Sequence, residues 1–149
     1  MIFGSMEYLE EVKRRSNADE EYQRLAQDES DSYLMVIKAE PNRGIPETLT
    51  IGYSADHGTI NDVWIGERET DFVLQGPYGV WVRILTGDLD ANKAMMMRKL
   101  KVKGNLLQLL KTADATIRWL EVLQTIPTEF EGDYAEQSFP GEECGDVEV

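Results

Sequence analysis

The chain has 149 residues and a formal charge of −13 at pH 7, with 28 acidic residues against 15 basic ones. That balance argues against nucleic acid as a partner, because phosphate binding needs a basic surface. The length suits one domain with a proper core, and no run approaches the roughly 18 apolar residues that cross a bilayer.

The N-terminus lacks a basic region followed by a hydrophobic stretch, so no signal peptide is expected. The single cysteine, Cys144, cannot form an internal disulfide, and a cytoplasmic location is the natural expectation. Met6 to Arg15 reads as a short helix with Ser5 as its cap. Its apolar points are only Leu9 and Val12, which predicts a peripheral N-terminal helix over residues 1–17. Ser16-Asn17 then caps a second helix, with Asp19, Glu20 and Glu21 in its first turn and Tyr22, Leu25 and Ala26 inward.

Tyr33 to Ala39 changes to a strand period. Leu49, Ile51, Tyr53 and Ala55 alternate with Thr48, Thr50, Gly52 and Ser54, giving a second strand with one apolar face. Asp56-His57-Gly58 is a hairpin signal, and Thr59 to Ile65 returns as the third strand. A turn over Gly66 to Thr70 leads to a fourth strand at Asp71 to Gln75. Tight turns between consecutive strands predict an antiparallel meander through the second, third and fourth.

Pro77 suits the first turn of a helix that is apolar on nearly every side (Tyr78, Val80, Trp81, Val82, Ile84, Leu85), and such a helix must be buried. Gly87 closes it, and Asp90 is placed to cap a helix through Met95, Met96 and Met97. Leu100 to Lys103 alternates as a fifth strand. Gly104-Asn105 opens a last helix from about Leu106 to Ile126, with Leu106, Leu110, Ala113, Ile117 and Leu120 as its stripe, widened by Leu109, Trp119 and Leu123. Pro127 stops that helix. The acidic remainder, 127–149, carries eight carboxylates and no Lys or Arg from Glu129 on, and reads as a disordered tail. By contrast, Lys93, Arg98, Lys99, Lys101, Lys103, Lys111 and Arg118 face only Asp114 over their stretch. Helices on one face of a five-stranded, mostly antiparallel sheet make an α+β fold.

No catalytic constellation is present. His57, the one histidine, sits in a turn, and Cys144 has no basic neighbour to activate it. Asp88 and Asp90 read as turn and cap residues. There is no CxxC, HExxH or phosphate loop, so neither enzyme activity nor a metal or cofactor is expected. The three consecutive methionines fan over more than half a helix circumference and are either core filler or an adaptable apolar surface. Lys101 and Lys103 are either the wet face of a strand or part of a patch for anionic headgroups.

The stretch from Gly87 to Leu110 resembles the type-2 sterol carrier protein family. The matching residues are Gly87, Leu89, Ala94, Met95, Lys99, Leu100, Lys101, Val102, Lys103 and Gly104. Arg98 stands where the family usually has Gly, and Asn105 where it has Asp. By order of elements the resemblance covers residues 18–126, and it implies the sterol-carrier fold with non-enzymatic binding or transfer of a fatty-acyl, sterol-like or isoprenoid lipid. The alternative is an accessory module that presents a lipidic substrate to partner enzymes. A hydrophobic tunnel would be lined by Trp81, Ile84, Leu85, Met95, Met96, Leu106, Leu109, Leu110 and Leu123, with Arg98 meeting a headgroup at the mouth. Burying about 15 methylenes at about 0.8 kcal/mol each yields roughly 12 kcal/mol before ordering costs. Lys99, Lys101 and Lys103 would make transient contact with a membrane surface, and the acidic tail is expected to compete for that patch as a lid.

Overall fold

Five strands form one mixed sheet in the order β3-β2-β1-β4-β5. They are β1 (Ser32–Lys38), β2 (Leu49–Asp56), β3 (Thr59–Ile65), β4 (Phe72–Pro77) and β5 (Lys101–Lys103). The computed structural model describes residues 1–139, apart from the side chains of Ala91, Asn92, Met95 and Leu106. Cys144 and the end of the acidic tail lie outside the described residues.

β2 and β3 pair antiparallel across His57-Gly58, whose φ angles are 51° and 82°. Two successive positive φ values let a tight hairpin follow the strand twist, which is why the Asp-His-Gly signal was legible. On the other side, β2 pairs antiparallel with β1. The meander is therefore β1-β2-β3, one strand earlier than the sequence predicts. β4 returns to lie parallel to β1, with Tyr33 opposite Phe72.

Two features account for that correction. The Ser32 N–H donates to Asp71 Oδ2 and the Asp71 N–H donates to Ser32 Oγ, both at 2.9 Å, which sets the starts of β1 and β4 side by side. The free edge of β3 is occupied by a side chain instead of a strand. The Asn17 amide donates to the Ile60 carbonyl and accepts from the Ile60 N–H, each at 2.8 Å.

Asn17 is thus not the cap that its sequence position suggests. Helices α1 (Met6–Ala18) and α2 (Glu20–Leu25) meet at Asp19, whose carboxylate accepts from the Tyr22 N–H at 2.9 Å. Arg118 forks onto the same carboxylate at 2.7 and 2.9 Å. Nor is α1 peripheral. Tyr8, Leu9, Val12 and Ser16 fall on one helical face and are buried, and the helix packs against β3. Leu9 and Val12 alone understate the stripe because Tyr8 completes it at the i, i+1, i+4 spacing.

Helix α3 (Tyr78–Leu85) follows β4 directly and buries Tyr78, Trp81, Val82, Ile84 and Leu85, as its all-round apolarity predicts. Next come α4 (Ala91–Met96), then β5, α5 (Leu106–Lys111) and α6 (Ala113–Leu123). The last two replace the single helix expected from the sequence. At the break the Thr112 hydroxyl donates to the Leu109 carbonyl at 2.8 Å, a side-chain bond that competes with the helix ladder.

The expectation of disorder beyond Pro127 is also corrected, for residues 127–139. Thr128 and Phe130 are buried, Ile2 bridges Glu129, and Thr128 bridges Phe139. Phe130 meets Phe3 and Tyr78 edge-on, with ring centroids 5.6 and 6.4 Å apart. Tyr134 donates to Glu40 at 2.7 Å. The acidic composition describes only the outward face of this segment, where Glu129, Glu131, Asp133 and Glu136 are exposed. Its aromatic residues settle it on the core. Phe130→Ala should lower stability in denaturant unfolding by about 3 kcal/mol, the cost of truncating a core phenylalanine. The exposed control Glu131→Ala should change it by less than about 0.5 kcal/mol.

Candidate functional site

The strand registers place Tyr33, Tyr53 and Val63 in one row across the sheet and Met35 beside Ile51 in the next, all facing the helices. Where α1, α3 and α6 cross this face they leave a hollow of about 20 Å³. Its floor is Met35, Ile51, Tyr53 and Val63, and α1 contributes Tyr8, Leu9 and Val12. Trp81 and Leu85 from α3 and Trp119, Leu120 and Leu123 from α6 complete the wall, with Phe3 beside them. That volume holds about one water-sized group, far short of an alkyl chain.

Of the lining expected from the sequence, Trp81, Leu85 and Leu123 meet here. Ile84 and Leu109 are buried but belong to other parts of the core. Met96, at 81% exposure, and Leu110, at 50%, face solvent. Arg98 is exposed too, and its φ of 61° lies in the left-handed region that glycine adopts freely. Glycine in the sterol-carrier pattern at this position suits that backbone conformation. The side chains of Met95 and Leu106 lie outside the described set.

Sequence reasoning missed Phe3, Tyr8, Met35 and Val63, and it read Leu9, Val12 and Leu120 only as apolar points of helices, not as wall residues. Ile51 and Tyr53 were legible as the apolar face of a strand, and Trp119 as part of a helix stripe, but not as members of one cavity. Their convergence depends on which helix crosses which strand, and periodicity does not carry that.

A file of rings runs over the sheet toward the hollow. Phe72 stacks on Tyr33 at 5.1 Å, Tyr33 on Tyr53 at 4.9 Å, and Tyr53 meets Trp119 at 5.1 Å. At the outer side of this file the Tyr33 hydroxyl donates to the carboxyl of Glu29, which is only 6% exposed. Burial pushes Glu29 above the usual carboxylate range, and the Tyr33 bond partly offsets it. Among the described residues, no group of three His, Cys, Asp or Glu side chains could hold a metal. His57 is exposed in its turn, beside Asp56.

This geometry offers apolar shelter. The family model for the SCP-2 sterol transfer family matches residues 9–116. The chain belongs to that family. No functionally curated protein matches the chain at the sequence level. Among solved structures, a crystal structure of sterol carrier protein 2 is similar, with TM-score 0.75 and 24% identity over 80% of this chain and 95% of the other. A solution structure from Thermus thermophilus, described as a conserved hypothetical protein and possibly a sterol carrier protein, gives TM-score 0.75 and 23% identity over 95% and 94% of the two chains. The apo form of sterol carrier protein 2 from Yarrowia lipolytica gives 0.57 and 19% over 83% and 93%. These likenesses bear out the expected α+β fold with a five-stranded, mostly antiparallel sheet; its one parallel strand pair, β1 with β4, was not expected.

The Glu29 environment yields a pH prediction. A carboxyl raised in the folded state adds stability that is complete below its ordinary range and is lost as pH rises through the folded value. Glu29→Gln keeps an acceptor for Tyr33 and removes the buried charge. It should melt at a higher temperature than the parent at pH 8, with the gap narrowing toward pH 4.

Proposed function

We propose that this protein binds one apolar lipid between its helical layer and its sheet and carries it without chemistry. The observation that carries the reading is the hollow itself, walled by hydrocarbon and aromatic side chains from three helices and the sheet, in a member of a sterol transfer family. At about 20 Å³ it is a seed for a ligand cavity. A guest must part the layer.

The covering thins toward β4 and β5. The inward row that includes Met35 and Ile51 continues through Leu74 and Val102, which are only partly buried. The neighbouring segments expose Met96, Met97, Leu107 and Leu110. Parting the layer at this end gives up the least buried area, so it is the reading's way in. Each methylene that follows gains about 0.8 kcal/mol.

The same region holds Lys93, Arg98, Lys99, Lys101, Lys103 and Lys111, all exposed, on a chain that is otherwise acidic. Apolar side chains interleaved with cations suit transient contact with an anionic membrane. The exposed leucines and methionines also support the second reading, an accessory module that docks on an enzyme and hands it a lipidic substrate. Stable co-purification with such an enzyme would favour the second reading.

Organic extraction of the purified protein followed by mass spectrometry should recover a stoichiometric lipid. Val63→Ile, which fills the hollow, should be neutral or stabilising by up to about 1 kcal/mol. The lipid recovered per protein should fall. Recovery unchanged by that variant would remove the hollow from the account. Replacing Lys99, Lys101 and Lys103 by Glu should weaken binding to anionic liposomes by on the order of 100-fold at low salt, since each cation near the surface contributes about 1 kcal/mol. Partition onto neutral liposomes should stay the same.

A further inference from the structure

The turn between α4 and β5 presents sulfur to solvent. Met96 is 81% and Met97 60% exposed, whereas Met35, in the floor of the hollow, is only 6% exposed. The Met97 N–H donates to the Lys93 carbonyl at 2.8 Å. The Lys99 and Leu100 N–H groups both donate to the Ala94 carbonyl, at 2.8 and 3.1 Å, while the side chains of Ala94 and Leu100 are buried. Arg98, with its φ of 61°, supplies the left-handed residue that such a helix ending needs. The cap holds two adjacent thioethers outward.

Single apolar side chains scattered over a surface are ordinary, but two neighbours set among cations are not scattered. Lys93, Arg98 and Lys99 flank the pair and are exposed. Arg14, Arg24, Arg68, Arg83 and Arg118 each hold a carboxylate. Among the described residues no ion pair involves Lys93, Arg98 or Lys99, so their charge is left for an outside partner. This is the surface that the membrane-contact reading uses, and the inference below rests on that reading.

Leucine would serve as an apolar contact equally well, as Leu107 and Leu110 do nearby in the chain. What a thioether adds is a reversible chemistry. We propose that Met96 and Met97 form an oxidative modification site, and that their conversion to sulfoxides releases the protein from an anionic membrane. The oxidant is a peroxide. A lone pair on Sδ attacks one peroxide oxygen, an S–O bond forms, the O–O bond breaks, and the other oxygen leaves as water. The sulfur gives up two electrons and the peroxide takes them. In the reverse step a thiol-dependent sulfoxide reductase removes the oxygen as water while two of its thiols become a disulfide. Each sulfoxide sets a strongly polar group where hydrocarbon has to enter the bilayer. Met35 is shielded by its burial, so the core keeps its packing.

The test treats the full chain, with Cys144→Ser so that no thiol competes, with hydrogen peroxide. Peptide mass spectrometry maps the sulfoxides, and binding is measured to phosphatidylglycerol and to phosphatidylcholine liposomes. Met96 and Met97 should oxidise well before Met35, and binding to the anionic liposomes should weaken by on the order of tenfold as two side chains lose their apolar burial. The salt dependence of the remaining binding should be unchanged, because no charge is altered, and a methionine sulfoxide reductase should restore the affinity. Met96→Leu with Met97→Leu should bind like the parent and resist peroxide, and Met96→Gln with Met97→Gln should reproduce the oxidised state without it. Unchanged binding with both sulfoxides present, or an equal loss in the leucine variant, overturns the switch while membrane contact stands. If the unoxidised protein shows no preference for the anionic liposomes, the membrane reading fails and takes this inference with it.

Discussion

The structure depends on one requirement: the helix-facing side of the sheet has to be covered, and a continuous file of aromatic rings links that face to the helix above it. Phe72, Tyr33 and Tyr53 come from three adjacent strands, and Trp119 comes from the last helix. Their contacts tie β4, β1 and β2 to α6 in one continuous file. Offset and tilted ring pairs of this kind contribute about 0.5–1.5 kcal/mol beyond the area they bury. The file also fixes where α6 crosses the sheet, and so where its leucines meet those of α1 and α3.

That placement explains why the hollow is small. Phe3 and Tyr8 precede the stretch matched by the family model, while Trp119, Leu120 and Leu123 follow it. All five press into the space between layer and sheet. The segment around Phe130 backs Phe3 from outside. In this protein five of the thirteen wall residues thus come from outside the stretch matched by the family model.

Much of the architecture was legible because it is local. Alternation marked the strands, His57-Gly58 marked the hairpin, and an apolar circumference marked α3. The Gly87 to Leu110 pattern pointed to the family. Other features depend on partners remote in sequence. The parallel seating of β4 follows from a Ser32–Asp71 exchange, and the ordered acidic segment from Phe130 meeting Phe3. The candidate site divided in the same way. Helix stripes identified Trp81, Leu85 and Leu123. Adaptability alone could not say whether Met96 faced a cavity or solvent, and the positive φ at Arg98 gives the pattern's glycine a backbone reason that the sequence did not show.

The Asn17 amide on Ile60 has a consequence for how the molecule behaves among its own copies. An exposed sheet margin normally invites a stranger's backbone to add itself. At one margin a side-chain amide already sits on the hydrogen-bonding pair where such a guest would begin to zip. The opposite margin offers only three residues, two of them lysines, too brief and too charged to template anything. Sheet extension is therefore impeded at Ile60 on one flank and by brevity and charge on the other. Self-association would have to use side-chain surfaces instead.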